Sequence, residues 1–239
     1  NISNNVDFSP WLGYPWSTSP MTYYTNDNIQ DAINAASDGD TIIVENGTYR
    51  ESPVINKSLR IIGDPTIDAC GAEYGMQIQA DYTLVENFTI YNYTKIGIYI
   101  HNDSFTLQNV TVNNCTICNS TYNTGDYGTK LNDAKNVSIS NCHIYNNSEA
   151  GIYILSSDNN KLESNTISSS EYGFKLSSSK YNSLLNNTLQ KNEEGIYLLK
   201  SSSSNRLAGN TISNSYYGIY VKSFSNQIIN NTLLYNYNG

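Results

Sequence analysis

Charge is scarce in this chain: Asp, Glu, Lys and Arg make up 14% of its 239 residues, against about a quarter in an ordinary soluble domain. That scarcity excludes helical bundles laced with ion pairs. The charge that exists leans acidic, with 21 Asp+Glu against 13 Lys+Arg and a net charge of −8. Such a surface repels phosphate backbones, which excludes nucleic acid as a partner. Long apolar runs are missing too, and no stretch approaches the ~18 residues of a membrane span. Asn1 opens the chain with neither Met nor a basic and apolar leader, as expected of a mature or excised soluble piece. Histidine and methionine number two each, a thin supply for soft-metal chemistry.

Asn, Ser, Thr and Tyr take the place of charge, and the apolar residues among them are periodic. Gly-Ile-Tyr-Ile begins at Gly97 and Gly151, and related tetrapeptides begin at Gly173, Gly195 and Gly218, with spacings of 22, 22 and 23 from Gly151 onward. Two further series keep the same beat: Asn165, Asn187, Asn210 and Asn231, and Asn160, Asn182, Asn205 and Asn226. The period is too short for a pair of helices, and apolar residues alternate within each segment as in strands. Each period therefore reads as one coil of a β-solenoid with three short strands, and stacked coils place like residues over one another at about 4.8 Å. Ile98, Ile152, Phe174, Ile196 and Ile219 are expected to form one inward column, and Ile167, Leu189, Ile212 and Leu233 another. The two Asn series are expected to be turn ladders of stacked amides.

Earlier coils are traced from Gly75 to Gly97 and from Gly128 to Gly151, but Gly97 and Gly128 are 31 apart. About nine extra residues are expected to bulge from the turn that holds Cys115 and Cys118 and runs through Gly125. Ahead of the coils, Ile29, Ala32, Ile33 and Ala36 fall at helical spacing, with Gly39 as a stop. The expected organisation is a connector at 1–27, a short capping helix at 28–39 and an all-β parallel β-helix at 40–239.

The run from Ile29 through Gly63 includes Gly39-Asp-Thr-Ile-Ile-Val44, Gly47-Thr-Tyr-Arg-Glu51 and Leu59-Arg-Ile-Ile-Gly63. It resembles the opening of pectin-lyase-like right-handed parallel β-helix proteins, whose later coils resemble the Asn-Thr-Ile and Gly-Ile-Tyr repeats. Within that superfamily the sequence is similar to archaeal, methanogen-type surface and sheath proteins built of copper-delivery or carbohydrate-binding β-helix repeats. The resemblance implies a right-handed helix and an extracellular, cell-surface place, but it specifies activity weakly.

Catalysis is not expected. A lyase of this fold needs clustered acids for calcium and a basic residue on adjacent coils, yet Arg50, Arg60 and Arg206 are scattered and no acidic cluster occupies one coil position. Glu193-Glu194, the one adjacent acidic pair, reads as a solvated corner. Copper delivery fails on ligands: His101, His143, Met21 and Met76 do not recur at one position, so no metal or cofactor is assigned. Asp64, Asp68 and Asp81 are calcium candidates, with local turn hydrogen bonding as the simpler reading.

Cys70, Cys115, Cys118 and Cys142 form an even set, which favours an oxidising exterior and one or two disulfides. Equating Ile67 with Val112 puts Cys70 and Cys115 two coils apart, too far to bond directly. Cys118 or Cys142 is then the expected partner of each, among three connectivities. Of the Asn-x-Ser/Thr sequons, Asn87, Asn109 and Asn136 are expected to face inward. Asn46, Asn56, Asn92, Asn102, Asn114, Asn119, Asn146, Asn186 and Asn230 are expected to carry N-glycans.

An outward column runs Tyr99, Lys130, Tyr153, Lys175, Tyr197 and Tyr220, a stripe suited to stacking on sugar rings or a neighbouring molecule. The segment after Leu233, with Tyr235 and Tyr237, stops where another coil would begin. Such an uncovered end templates association. The N-terminal arm, with Phe8 and Trp11, is then expected to dock on the final coils of another copy, giving a head-to-tail homopolymer. The function expected from sequence is a structural block of an extracellular fibre, sheath or surface layer. The alternatives are a polysaccharide-binding module using the Tyr column and, third, a polysaccharide lyase or hydrolase.

Overall fold

A computed structural model describes residues 20–120 and 125–239. They form a right-handed parallel β-helix of about nine coils, three strands to a coil. Three parallel sheets run its length. The first has ten strands, from Thr22–Thr25 to Gln227–Ile229; the second has eight, from Val54–Ile55 to Tyr217–Val221; the third has nine, from Thr48–Tyr49 to Thr232–Leu234. Thr22–Thr25, inside the segment expected to be a connector, pairs with Thr41–Val44 as the edge of the first sheet. The expected contacts of Phe8 and Trp11 lie outside the described residues.

The strands are short because each coil needs only one or two inward residues per side. In the third sheet, the three-residue strands bury their middle residue, giving the column Ile90, Ile117, Ile144, Ile167, Leu189 and Ile212. The second sheet answers with Ile98, Thr129, Ile152, Phe174 and Ile196 in register. Thr129 was not foreseen; it is fully buried between the isoleucines. The recurrent glycine also faces this core. A Cβ on Gly151 would lie 2.2 Å from Ile167 Cγ2 and 3.0 Å from the Gly173 carbonyl oxygen, so the third sheet's apolar column fills the space a side chain would need.

The helix Ile29–Ala35 closes one end and is fastened by the first full coil. Asn28 caps it, accepting from Asp31 N at 2.8 Å, while the Glu51 carboxylate accepts from Ile29 N and Gln30 N at 2.8 and 3.0 Å. Lys57 Nζ donates to the carbonyls of Ile33, Asn34 and Ala36 at the other end, satisfying groups a helix leaves open.

The extra length between Gly97 and Gly128 is divided, not gathered in one bulge. Gly97 to Thr111 takes 14 residues where Gly151 to Lys161, which occupies the same register, takes 10; Thr116 to Gly128 takes 12 where His143 to Gly151 takes 8. Part of the first insertion is answered by a small extra pair of strands, Leu107–Gln108 with Ala134–Lys135.

Turns repeat as strictly as strands. Asn87, Asn114, Asn141, Ser164, Asn186 and Asn230 share one left-handed corner with φ of 51–65°, a conformation that Asn tolerates better than most residues. Asn109 and Asn136 occupy a second such corner. These sequon residues therefore do not face inward as expected. Phe88, Val110 and Val137, each the next residue, take the inward place. The inward amides of Asn165, Asn187 and Asn210 do form the expected ladder. Asn187 donates Nδ2 to the Leu162 carbonyl at 3.0 Å, and its Oδ1 accepts from Asn165 N at 2.9 Å. Cys115 and Cys142 continue this same column toward the N-terminus.

Candidate binding face

The outward face of the second sheet carries the one extended arrangement of reactive and aromatic groups among the described residues. Two columns alternate on it. One contains Tyr74, Tyr127, Tyr172 and Tyr217 at the residue before each glycine; the other is the Tyr99, Lys130, Tyr153, Lys175, Tyr197 and Tyr220 column. Rings pair diagonally: Tyr74 with Tyr99 at 5.3 Å between centroids, Tyr127 with Tyr153 at 5.1 Å, Tyr172 with Tyr197 at 5.2 Å. Tyr197 then stacks on Tyr220 at 5.4 Å, and Tyr220 on Tyr217 at 5.2 Å. These spacings exceed the ~3.5–4 Å contact thickness of carbon surfaces, so the rings overlap like shingles. Tyr74, Tyr99, Tyr127, Tyr153, Tyr172, Tyr217 and Tyr220 stay half-exposed, while Tyr197, stacked on Tyr172 and Tyr220 with Lys222 on its hydroxyl, is buried among them.

Lysines fill the gaps. Lys130 Nζ lies 5.4–5.8 Å from the centroids of Tyr99, Tyr127 and Tyr153; Lys175 lies 4.5 Å from Tyr172 and 5.5 Å from Tyr153; Lys222 lies 5.0 Å from Tyr197 and 4.8 Å from Tyr220. Cation–π attraction holds each ammonium over the rings. Burial lowers the Lys130 pKa, and Lys222 donates to the Tyr197 hydroxyl at 2.7 Å. His101 closes the stripe at the Tyr99 end, stacked on that ring at 3.8 Å. It is buried, and burial pushes its pKa down.

Sequence reasoning missed one border of this face. The residue two before each glycine is Asp126, Glu149, Glu171 and Glu193 in successive coils, so an acidic column does occupy one coil position, contrary to expectation. The signal was present as the pairs before each glycine, but attention to Glu193-Glu194 alone hid it. Glu149 takes the Lys175 ammonium at 2.7 Å, and Glu149 raises the Tyr127 pKa after burial has already done so. Glu194 stands in the Tyr column between Tyr172 and Tyr217, with its pKa raised chiefly by burial. The face is thus polar across its width: Glu149, Glu171 and Glu193 line the side where the chain enters each strand, Asp126 at the same position being buried, and ammonium groups line the middle and far side.

Other candidate residues are dispersed. Ile67 is in register with Ile90 and Ile117 in the third sheet, whereas Val112 pairs with Val85 in the first. The two look alike only in their flanking residues, so Cys70 and Cys115 occupy different corners. Cys115 instead sits one coil below Cys142. Their thiols donate to the Asn113 and Ser140 carbonyls at 3.3 and 3.2 Å, and their mutual proximity in the core pushes the Cys115 pKa up and the Cys142 pKa down. All four cysteines are free thiols, Cys70 exposed and the others buried. Asn46, Asn56, Asn114, Asn119, Asn146, Asn186 and Asn230 are exposed, but Asn92 and Asn102 are half-buried with their amides donating to Asp68 and the Gln79 carbonyl. Asp68 accepts from Cys70 N, the local turn role that was the simpler reading, whereas Asp81 reaches across to Gln108 N of the next coil. Leu233, Tyr235 and Tyr237 are exposed on the last coil, with Ile228, Ile229 and Leu234.

Soft ligands do not assemble. Met76 is sealed in the core, Met21 is exposed on the first sheet's edge, His143 lies on the third sheet, and His101 is engaged by Gln77 and Gln79. No three His, Cys, Asp or Glu side chains converge among the described residues. The side chains present do not fit a copper centre.

Among solved structures, the chain is similar to the periplasmic alginate epimerase AlgG (TM-score 0.67, 14% identity, 85% of this chain and 52% of that one). It is also similar to pectate lyase Pel9A (0.60, 12%, 87% and 80%) and to an alginate lyase from Paenibacillus sp. (0.60, 14%, 90% and 97%). At such identities these likenesses establish the fold alone, and the chain spans about half the length of the epimerase. No curated protein matches it in sequence. The profile of the family described as periplasmic copper-binding protein (NosD) matches residues 33–239, and the chain belongs to that family.

Proposed function

We propose that the protein is an exported β-helix, extracellular or periplasmic, that binds an extended polysaccharide along the second sheet. The observation that carries this reading is the shingled Tyr–Lys stripe. It runs over seven coils, from Tyr74 to Tyr220, or about 29 Å at the coil spacing. Ring strips supply apolar contact for the C–H faces of sugars, and the hydroxyl and ammonium edges supply hydrogen bonds. The similar structures named as lyases and an epimerase of alginate and pectate support carbohydrate as the ligand class. Titration calorimetry with soluble oligosaccharides tests it: wild type binds, while Tyr153→Ala and Tyr197→Ala each weaken binding about tenfold. Unchanged affinity in both variants refutes the reading.

The second reading, a structural block of a surface assembly of the archaeal sheath type, rests on the apolar groups of the last coil. Ile228, Leu233, Tyr235 and Tyr237 are open to solvent, and a further coil, from the same chain or another copy, would cover them. Concentration-dependent sedimentation abolished by Leu233→Asp supports it; a monomer at every concentration overturns it.

A further inference from the structure

Beside the stripe, on the turns that follow the second-sheet strands Tyr172–Ser177, Glu194–Leu198 and Tyr217–Val221, lies a cleft of ≈ 420 Å³. Lys180, Lys200 and Lys222 line it together with Ser201, Ser203, Ser223 and Phe224. Three of the chain's 13 basic residues thus converge on one recess of a protein with net charge −8. None of the three makes an ion pair with a described carboxylate; Lys222 bonds the Tyr197 and Tyr220 hydroxyls and feels Glu194 electrostatically, and Asp158 spends an oxygen on Lys180 N. Glu149, Glu171 and Glu193 lie on the opposite border of the face, before the strands and not after them. Unpaired ammonium groups brought together repel one another, and an anion between them relieves that repulsion. Serine hydroxyls rotate to donate, and Phe224, 85% exposed, offers an apolar wall.

We infer that this cleft is an oxyanion-binding site, taking a sulfate, phosphate or carboxylate group. The inference stands apart from the polysaccharide reading, because a free anion satisfies the cleft as well as one carried on a sugar. If the anion is carried on a chain lying over the tyrosines, Lys222 joins the two regions, and the acidic border sets which side the charged substituents hang from.

The test is an amide NMR titration of the whole chain with sodium sulfate at constant ionic strength. Saturable shifts are expected at Ser201, Ser203 and Ser223. They weaken about tenfold in Lys180→Ala/Lys200→Ala and persist in Lys180→Arg/Lys200→Arg, whose exposed positions leave the fold intact. Small, linear shifts equal to those from chloride, or an alanine double variant indistinguishable from wild type, overturn the site. A second arm compares an oligouronate with its methyl ester. Acid binding tighter than sulfate, and lost with Tyr197→Ala, assigns the anion to a glycan; acid binding equal to sulfate assigns a free oxyanion. Equal binding of acid and ester at the cleft contradicts the proposal.

Discussion

The first half of the β-helix and the second solve one problem with different chemistry. At the corner between the first and third sheets, the inward residue is Phe88, Cys115 and Cys142 in earlier coils and Asn165, Asn187 and Asn210 in later ones. A second corner shows the same change, from Val110 and Val137 to Asn160, Asn182 and Asn205. Apolar corners add to a continuous core but offer no amide acceptor to the coil before; Val137 N and Cys142 N are themselves served by Oδ1 of Asn160 and Asn165 in the coil that follows. Amide corners carry polar atoms into the interior and satisfy them coil by coil, each Oδ1 accepting a backbone N–H from the coil before. The difference shows that coil stacking, not side-chain type, sets the fold, while the corner residues set how strictly each coil specifies the next.

The sharpest way to break this comparison is Asn187→Leu. It removes the acceptor for Asn165 N and the donor to Leu162 O within a buried ladder, and stranded groups cost about 1–3 kcal/mol each. A loss of roughly 2–6 kcal/mol is expected from denaturant unfolding. Phe88→Leu, at the equivalent corner of the earlier half, strands nothing and is expected to cost about 1–1.5 kcal/mol. Comparable losses in the two variants would remove the distinction. Cys142→Asn sharpens it, because Asn at this position extends the Asn165 column by one coil. A stability change within about 1 kcal/mol of wild type is expected, with the new amide protected from hydrogen exchange.

The smallest effect concerns His101, in the earlier half. Burial holds its native pKa below the unfolded value of about 6.5, so the unfolded chain binds the proton more readily. Stability is therefore unaffected above that pH and falls as pH drops from about 6.5 toward the native pKa. Asp103 and Lys130 act on the same ring, the first raising its pKa and the second lowering it. Thermal unfolding of wild type at pH 7.5 and 5 should show the loss, and His101→Gln should reduce it; equal losses in both contradict the assignment.

The repeat made the fold legible. Like residues at 22–23 spacing fixed the coil, the core columns and the amide ladder because stacking forces periodicity into the sequence. What escaped has a common physical origin in register. Equating Ile67 with Val112 put Cys70 and Cys115 at one corner two coils apart, since local flanks look alike on different sheets; Cys142, one of the two partners expected for Cys115, is its neighbour one coil on. The inward place was given to Asn87, Asn109 and Asn136 one residue early, because left-handed corners favour Asn as strongly as the ladder does. The binding face was half visible: one Tyr–Lys column stood out, but its partner column and acidic border precede the glycine, where residue types vary more.

The most direct measurement of the Tyr–Lys face is an NMR spectrum of the protein labelled with 13C in its tyrosine rings, titrated with a soluble hexasaccharide. Binding along the second sheet predicts saturable shifts in Tyr99, Tyr127, Tyr153, Tyr172, Tyr197 and Tyr220, with Tyr24, Tyr82 and Tyr145 on other faces unmoved. No saturable shift with any neutral or acidic oligosaccharide, or shifts confined to those three control rings, would contradict it.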